Sequence, residues 1–341
     1  MGDKREEEII TFGTFLKSCR VEKGVSQEKL ARGLMSKSML SKIENKGLTP
    51  DYLMRNRLME RLGLSAEGCE DFLQASEYAR YEKRLKLMTA IEARQTHHAR
   101  EILEELAETL KGEEKIERQF LLDMEGRIRR QEKRPGDEIF AVYDEAVNLT
   151  IPSVSCGFAD CVFAPEEYYL LICRADYMDS PNDEEELENI LKSIQACKLW
   201  KFAKAKILPL AAIKYAQIIL RNNPTTEELE LALAYVNEAV ETLRETSRMY
   251  CLMDLLNVRG DLLCNLVDHY PMLKIEEEEN QHFQNAFLYL YENYGSGIKP
   301  EDDCYIYRSP EIHSVADVVL SRRKALGVTR KMLTNICDEK T

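Results

Sequence analysis

Two serines ten residues apart, Ser26 and Ser36, impose the strongest local constraint on this chain. Each is a good N-cap. Ser26 opens a short helix over Gln27–Leu34, and Ser36 opens a second over Lys37–Lys46. Leu30, Leu34, Leu40 and Ile43 are spaced so that both helices turn toward one small core. The polar residues of the second helix, Lys37, Ser38, Ser41, Lys42 and Asn45, are left facing outward. A short exposed helix with Lys and Ser at its N-terminal end suits a DNA major groove, which admits a helix and offers base-edge acceptors.

Ser26–Asn45 reads S-Q-E-x-L-A-x-G-L-x-S-x-S-x-L-S-K-I-E-N, with caps, apolar positions and spacings in agreement. On that pattern residues 9–65 resemble a helix-turn-helix domain of the Cro/C1 (XRE) class. The resemblance implies that Gln27 contacts the DNA backbone and that Lys37, Ser38 and Lys42 read bases. Ser36, Met39 and Ser41 fall in the same DNA-binding set. It also implies a buried structural pair between Arg20 of the first helix and Glu44 of the reading helix. Lys46 stands where the family usually has Gly, and Gly47 follows it.

Charge is distributed to match. The formal net charge is −13, but residues 1–65 carry 13 Lys/Arg against 9 Asp/Glu, so the head is basic and the remainder acidic. A basic module on an acidic body attracts phosphate at one end only. No apolar run is long enough for a membrane span, and M-G-D-K-R-E-E-E is no signal peptide. Ten Cys without C-x-x-C pairs point to reduced thiols in a cytoplasmic protein.

The expected fold is all-α: a five-helix helix-turn-helix domain over residues 1–65, then a TPR-like α-solenoid. Helix 1 is expected over Ile9–Glu22, with Phe12, Phe15, Leu16 and Cys19 buried and Gly24 as its stop. Thr49 and Pro50 open a fourth helix through about Leu62, and Ser65 caps a fifth. Residues 66–95 read as a connecting helix with no strand pattern. Residues 96–300 read as helix pairs near 97–111, 114–132, 137–149, 166–179, 184–201, 204–222, 226–245, 247–268 and 281–294. Starts at 166, 204 and 247 are 38 and 43 residues apart, a loose version of the tetratricopeptide period. An irregular bundle is the alternative. A Cro/C1-like head on such a body resembles the Rgg- and PlcR-like peptide-sensing regulators of Gram-positive bacteria. That resemblance implies a homodimer and a concave groove for a short peptide.

Residues 301–341 form a further segment, within which 315–341 repeat the head without a gap at an offset of 303. Ser18/Ser321, Arg20/Arg323, Gly24/Gly327, Val25/Val328 and Leu30/Leu333 are identical, and Thr329 takes the N-cap place of Ser26. The copy reaches Thr341, which aligns with Ser38, so it lacks a reading helix. It is either a remnant capping the last repeat or part of a longer protein.

No catalytic constellation, cofactor motif or metal-ligand spacing is found among the five His and ten Cys. One polar stripe stands out. Asp254, Asn257, Asp261, Asn265 and Asp268 share one helix face, opposite a Leu-rich one. Asn257, Asp261 and Asn265 are candidates to hold an extended peptide, since Asn can bond both N–H and C=O of a peptide backbone. Lys214 and Gln217, with Arg221, form a second candidate stripe. A solvated face is the plain alternative for both. Function is therefore expected to be sequence-specific DNA binding with ligand sensing through a short peptide or protein ligand. The rival is a helical-repeat adaptor with a vestigial head, which has no reason to keep Lys37, Ser38 and Lys42 exposed.

Overall fold

The computed structural model describes residues 11–64, 71–73, 75–110, 114–151, 158, 161–178, 183–197 and 199–294, and in the C-terminal segment 312–314, 320, 323, 324, 327 and 329. The head comprises α1 (Phe12–Glu22), α2 (Gln27–Ala31), α3 (Lys37–Lys46) and α4 (Tyr52–Arg61). These are four helices among the described residues; the fifth, expected from Ser65, lies outside them. The start expected at Ile9 also lies outside, but Thr11 is the N-cap of α1, its hydroxyl accepting from the Thr14 N–H at 3.2 Å. Ser26 and Ser36 cap α2 and α3, and Gly47 closes α3 in the left-handed conformation at φ 68°. Asp51, rather than Thr49, caps α4: its carboxylate accepts from the Met54 N–H at 2.9 Å.

Two details of the head differ from the helical pattern. Helix α2 stops at Ala31, because Gly33 adopts φ +77° and ends the turn early. The buried face of α1 is Gly13, Leu16 and Arg20, while Phe15 is 42% exposed. The cause is a close crossing. A Cβ at Gly13 would lie 1.9 Å from the Ile43 carbonyl oxygen, so α1 meets α3 backbone to backbone and its inner face is centred on the glycine.

The body is a series of helix pairs: α5 (Ala75–Glu92) with α6 (Thr96–Glu108), α7 (Lys115–Gln131) with α8 (Gly136–Thr150), α9 (Pro165–Asp176) with α10 (Asp183–Ala196), α11 (Lys201–Arg221) with α12 (Thr226–Thr246), and α13 (Leu252–Val267) with α14 (Lys274–Tyr294). Successive pairs stack through their first helices, α5 on α7, α9 on α11 and α11 on α13. Burying one face of each pair against the next is what holds such an array together. The main core is one cluster of buried residues drawn from Ile139 to Leu266. Helix α11 is its axis: Ala205, Leu208, Ala211, Ala212 and Ala216 are fully buried, and the helix continues through Pro209. Helix α14 begins at Lys274, two turns before the expected 281, because its acidic first turn complements the helix dipole.

The expected connecting helix over 66–95 is shorter than its pattern. Strand β1 (Asp71–Leu73) precedes α5 and pairs in parallel with β2 (Ile312–Ser314), in register Asp71 to Ile312, Phe72 to His313 and Leu73 to Ser314. Three-residue strands carry no readable alternation. Among the described residues no helix is long and apolar enough to cross a membrane.

Candidate nucleic-acid interface and head–body seam

Helix α3 is held by its inner edge. Arg20 Nε donates to Glu44 Oε1 at 2.6 Å and Arg20 Nη2 to Glu44 Oε2 at 2.9 Å, a two-pronged pair inside the head. Arg20 Nη1 also donates to the Val25 carbonyl at 2.9 Å, tying in the turn before α2. Burial pushes the Glu44 carboxyl up, but the bonds from Arg20 and then Gln27 override it and hold the group below its ordinary range. Leu40 and Ile43 complete the buried edge.

The outer edge is open. Lys37, Ser38 and Lys42 are exposed and Met39 is 41% exposed, while Ser41 is half-buried. Ser36 spends its hydroxyl on the Met39 N–H, at 3.2 Å. Ser41 accepts the Asn45 amide at its carbonyl, at 3.0 Å, and Asn45 in turn accepts from Lys17 Nζ at 2.8 Å. Asn45 thus braces α3 against α1 rather than facing out alone. Gln27 is half-buried and donates to Glu44 Oε2 at 2.8 Å. Its amide therefore joins the Arg20–Glu44 pair.

A second polar site had no sequence signal. Helix α4 reaches from the head into the body through Arg57 and Arg61. Arg61 Nη2 and Nε donate to Glu167 of α9 at 2.6 and 2.9 Å. Arg57 lies 3.3 Å from the same carboxylate and donates to Gln119 of α7 at 2.7 Å. Glu167, wholly buried, also accepts from the Thr150 hydroxyl and the Ala164 N–H, each at 2.8 Å. Burial pushes the Glu167 carboxyl up, yet Arg61 and Arg57 more than reverse this and bring it down to about 2. Alongside, Glu60 is half-buried near Glu166; burial first, then that neighbouring carboxylate, push Glu60 well above its ordinary value. Ile116 of α7 joins the apolar core of the head, so the seam is apolar as well as ionic. The i, i+4 spacing of Arg57 and Arg61 puts both on one face of α4 without indicating what they meet.

The candidate ligand residues divide. Asn257, Asp261 and Asn265 are exposed on one face of α13. Asn257 Oδ1 accepts from Gln284 of α14 at 3.1 Å, and Asn265 Nδ2 donates to the Asp261 main-chain carbonyl at 2.8 Å. Lys214 is half-buried and pairs with Asp176 of α9 at 3.0 Å, and Gln217 lies half-buried one turn on. The structure thus places the two stripes on α11 and α13, helices that stack on each other.

Residues 16–68 match the family model described as Helix-turn-helix. No curated protein sequence matches the chain. Among solved structures, Bacillus thuringiensis PlcR in complex with the peptide PapR7 and DNA is 15% identical with a TM-score of 0.45, covering 85% of this chain and 99% of that one. The apo form of the same PlcR is 14% identical with a TM-score of 0.47, covering 86% and 99%. The apo competence regulator ComR from Streptococcus vestibularis is 13% identical with a TM-score of 0.39, covering 93% and 98%. With its two capped helices, its left-handed glycine after α3 and the family match over the same residues, the head is a helix-turn-helix domain.

Proposed function

We propose that the protein is a cytoplasmic, sequence-specific DNA-binding transcriptional regulator that works as a homodimer and senses a ligand through its helical-repeat body. The observation that carries this reading is the open edge of α3. Lys37, Ser38 and Lys42 remain exposed although the head is docked on the body through α4. Lys donates to guanine O6 or N7, and Ser serves either role at a base edge. The N-terminus of α3 adds free N–H groups that favour a phosphate. Gln27 reaches a phosphate only with the part of its amide that Glu44 leaves unused, and Ser36, Met39 and Ser41 flank the reading residues.

For the body we propose a short extended peptide as ligand, held by Asn257, Asp261 and Asn265, with Lys214 and Gln217 further along. An Asn amide has two donors and an acceptor oxygen, so one internal bond leaves capacity for a peptide backbone. Ligand binding would change the relative placement of two heads and so select half-site spacing.

The test is selection of duplexes from a random library by the full-length protein, repeated with Lys37→Ala/Lys42→Ala. Enrichment of one sequence by the wild type and its loss in the variant supports the reading. Equal recovery of all sequences by both proteins rejects it and favours the adaptor.

A further inference from the structure

The C-terminal segment returns to the junction between head and body. Strand β1 lies between the end of α4 and the start of α5, and its partner β2 is supplied from residues 312–314, beyond the whole helical body. β2 also lies against α5. Because the pair is parallel, the chain leaving β2 runs the same way as the chain leaving β1 toward α5.

Immediately after β2 the chain enters the copy of the head, and the copy extends to backbone geometry. In the head, Gly24 has φ +69° and its N–H donates to the Val21 carbonyl at 3.0 Å. In the C-terminal segment, Gly327 has φ +65° and its N–H donates to the Lys324 carbonyl at 3.1 Å. At the sequence offset of 303, Gly327 aligns with Gly24 and Lys324 with Val21. Arg323, aligned with Arg20, and Lys324 are helical. Gly327 therefore repeats the left-handed turn of Gly24.

We propose that this segment is an intramolecular strap. Through β2 it is tethered to the hinge strand β1, and this tether adds to the buried seam of α4 in fixing where the head sits relative to the body. A three-residue, two-stranded ribbon is marginal by itself and depends on the helix it lies against. Such an element opens at low free-energy cost, so the strap is releasable without unfolding head or body. The duplicate does not need to read DNA for this role; only its attachment beside α5 matters.

Hydrogen exchange of the full-length protein tests the tether, with two variants as controls. One is His313→Pro/Ser314→Pro, which removes a ladder donor whichever alternate residues of β2 face β1. The other is a chain ending at Tyr294. The expected result is that the amides of residues 71–73 exchange at least about tenfold faster in both variants, while α1, α3 and α4 keep their protection. Should the shortened chain fail to fold, the double-proline protein decides alone. Unchanged exchange at 71–73 overturns the strap. Its positioning role rests on the DNA-binding reading and has a separate readout, the spacing between paired half-sites recovered from a random duplex library. Wild type is expected to recover one spacing, and the strap variants the same half-site at several. A released β1 with an unchanged single spacing overturns the positioning role. Failure of wild type to enrich any sequence overturns the DNA-binding reading and with it the positioning role, while the exchange result still decides the tether.

Discussion

Arg61 and Glu167 form a two-pronged ion pair that crosses from the head to the body and is shut off from solvent on both sides. Removing Glu167 leaves Arg61 buried with main-chain carbonyls as its only named acceptors, and removing Arg61 leaves the buried Glu167 with Arg57 as its one named cation. Glu167→Ala and Arg61→Ala are each expected to lower stability to denaturant by about 3–5 kcal/mol. The double variant is expected to cost less than the sum, because the loss of the Arg61–Glu167 interaction is then counted once. Urea unfolding of the four proteins, analysed as a cycle, measures the coupling; full additivity would mean the two side chains do not interact.

The pH dependence has two limbs of opposite sign. Glu167 is held at about 2, below the ordinary 4.5, so its contribution is complete above the ordinary value and is lost as pH falls from there toward 2. Glu60 is raised, so its contribution is present below the ordinary value and is lost as pH rises through its raised value. Melting temperature followed from acid to neutral pH is expected to rise with the first group and ease off with the second. Glu60→Gln is expected to reduce the second limb, to which Glu117, also raised by burial, contributes, and to leave the first unchanged.

Inside the head, Glu44→Ala leaves Arg20 buried with only the Val25 carbonyl as partner. A loss of about 3–5 kcal/mol is expected. Gln27 loses its partner as well, so the exchange protection of α2 is expected to fall together with that of α3. Unchanged protection of α2 would show that Gln27 does not depend on Glu44.

Gly13→Ala tests the crossing of α1 and α3. The new Cβ would meet the Ile43 carbonyl at 1.9 Å, against backbone that cannot rotate away. A destabilisation of about 1–3 kcal/mol or more is expected, as for other overpacked sites. A wild-type melting curve would mean that the two helices move apart at no cost.

For DNA, Lys37→Ala and Lys42→Ala are expected to weaken binding to a selected sequence by about 1–3 kcal/mol each if they touch bases, with specificity relaxed at one position. A purely phosphate contact would instead weaken all sequences alike and reduce the salt slope by about one unit. Titrations over a salt series, on the selected and a random duplex, separate the two.

The parts legible in the sequence are those fixed by near neighbours. Helix α3 is bounded by Ser36 and Gly47, a hydroxyl cap and a residue free to adopt positive φ, and its limits come from those two residues. The order of the body helices comes from their apolar spacing and from the prolines and glycines between them. The inner face of α1 is not readable in this way, because it is set by how closely α3 approaches at Gly13, a distance with no trace in the periodicity of α1. Arg20 beside Glu44 is suggested by the family pattern, not by spacing. Arg61 beside Glu167 is suggested by neither, since the two are far apart in the chain and each resembles an ordinary charged surface residue until packing buries it.

One guanidinium serves two masters. Besides Glu167, Arg61 donates through Nη1 to the carbonyls of Leu30 and Arg32 at 3.0 and 2.7 Å, where α2 ends. The short helix that leads into α3 is therefore finished by a side chain whose other half belongs to the body. A head excised near residue 65 would keep Arg61 and lose its counter-ion, so the end of α2 would be held by a cation newly open to water. Dissecting the protein at that boundary would change the object being measured, because the end of α2 in the excised head would no longer be the one held in the intact chain.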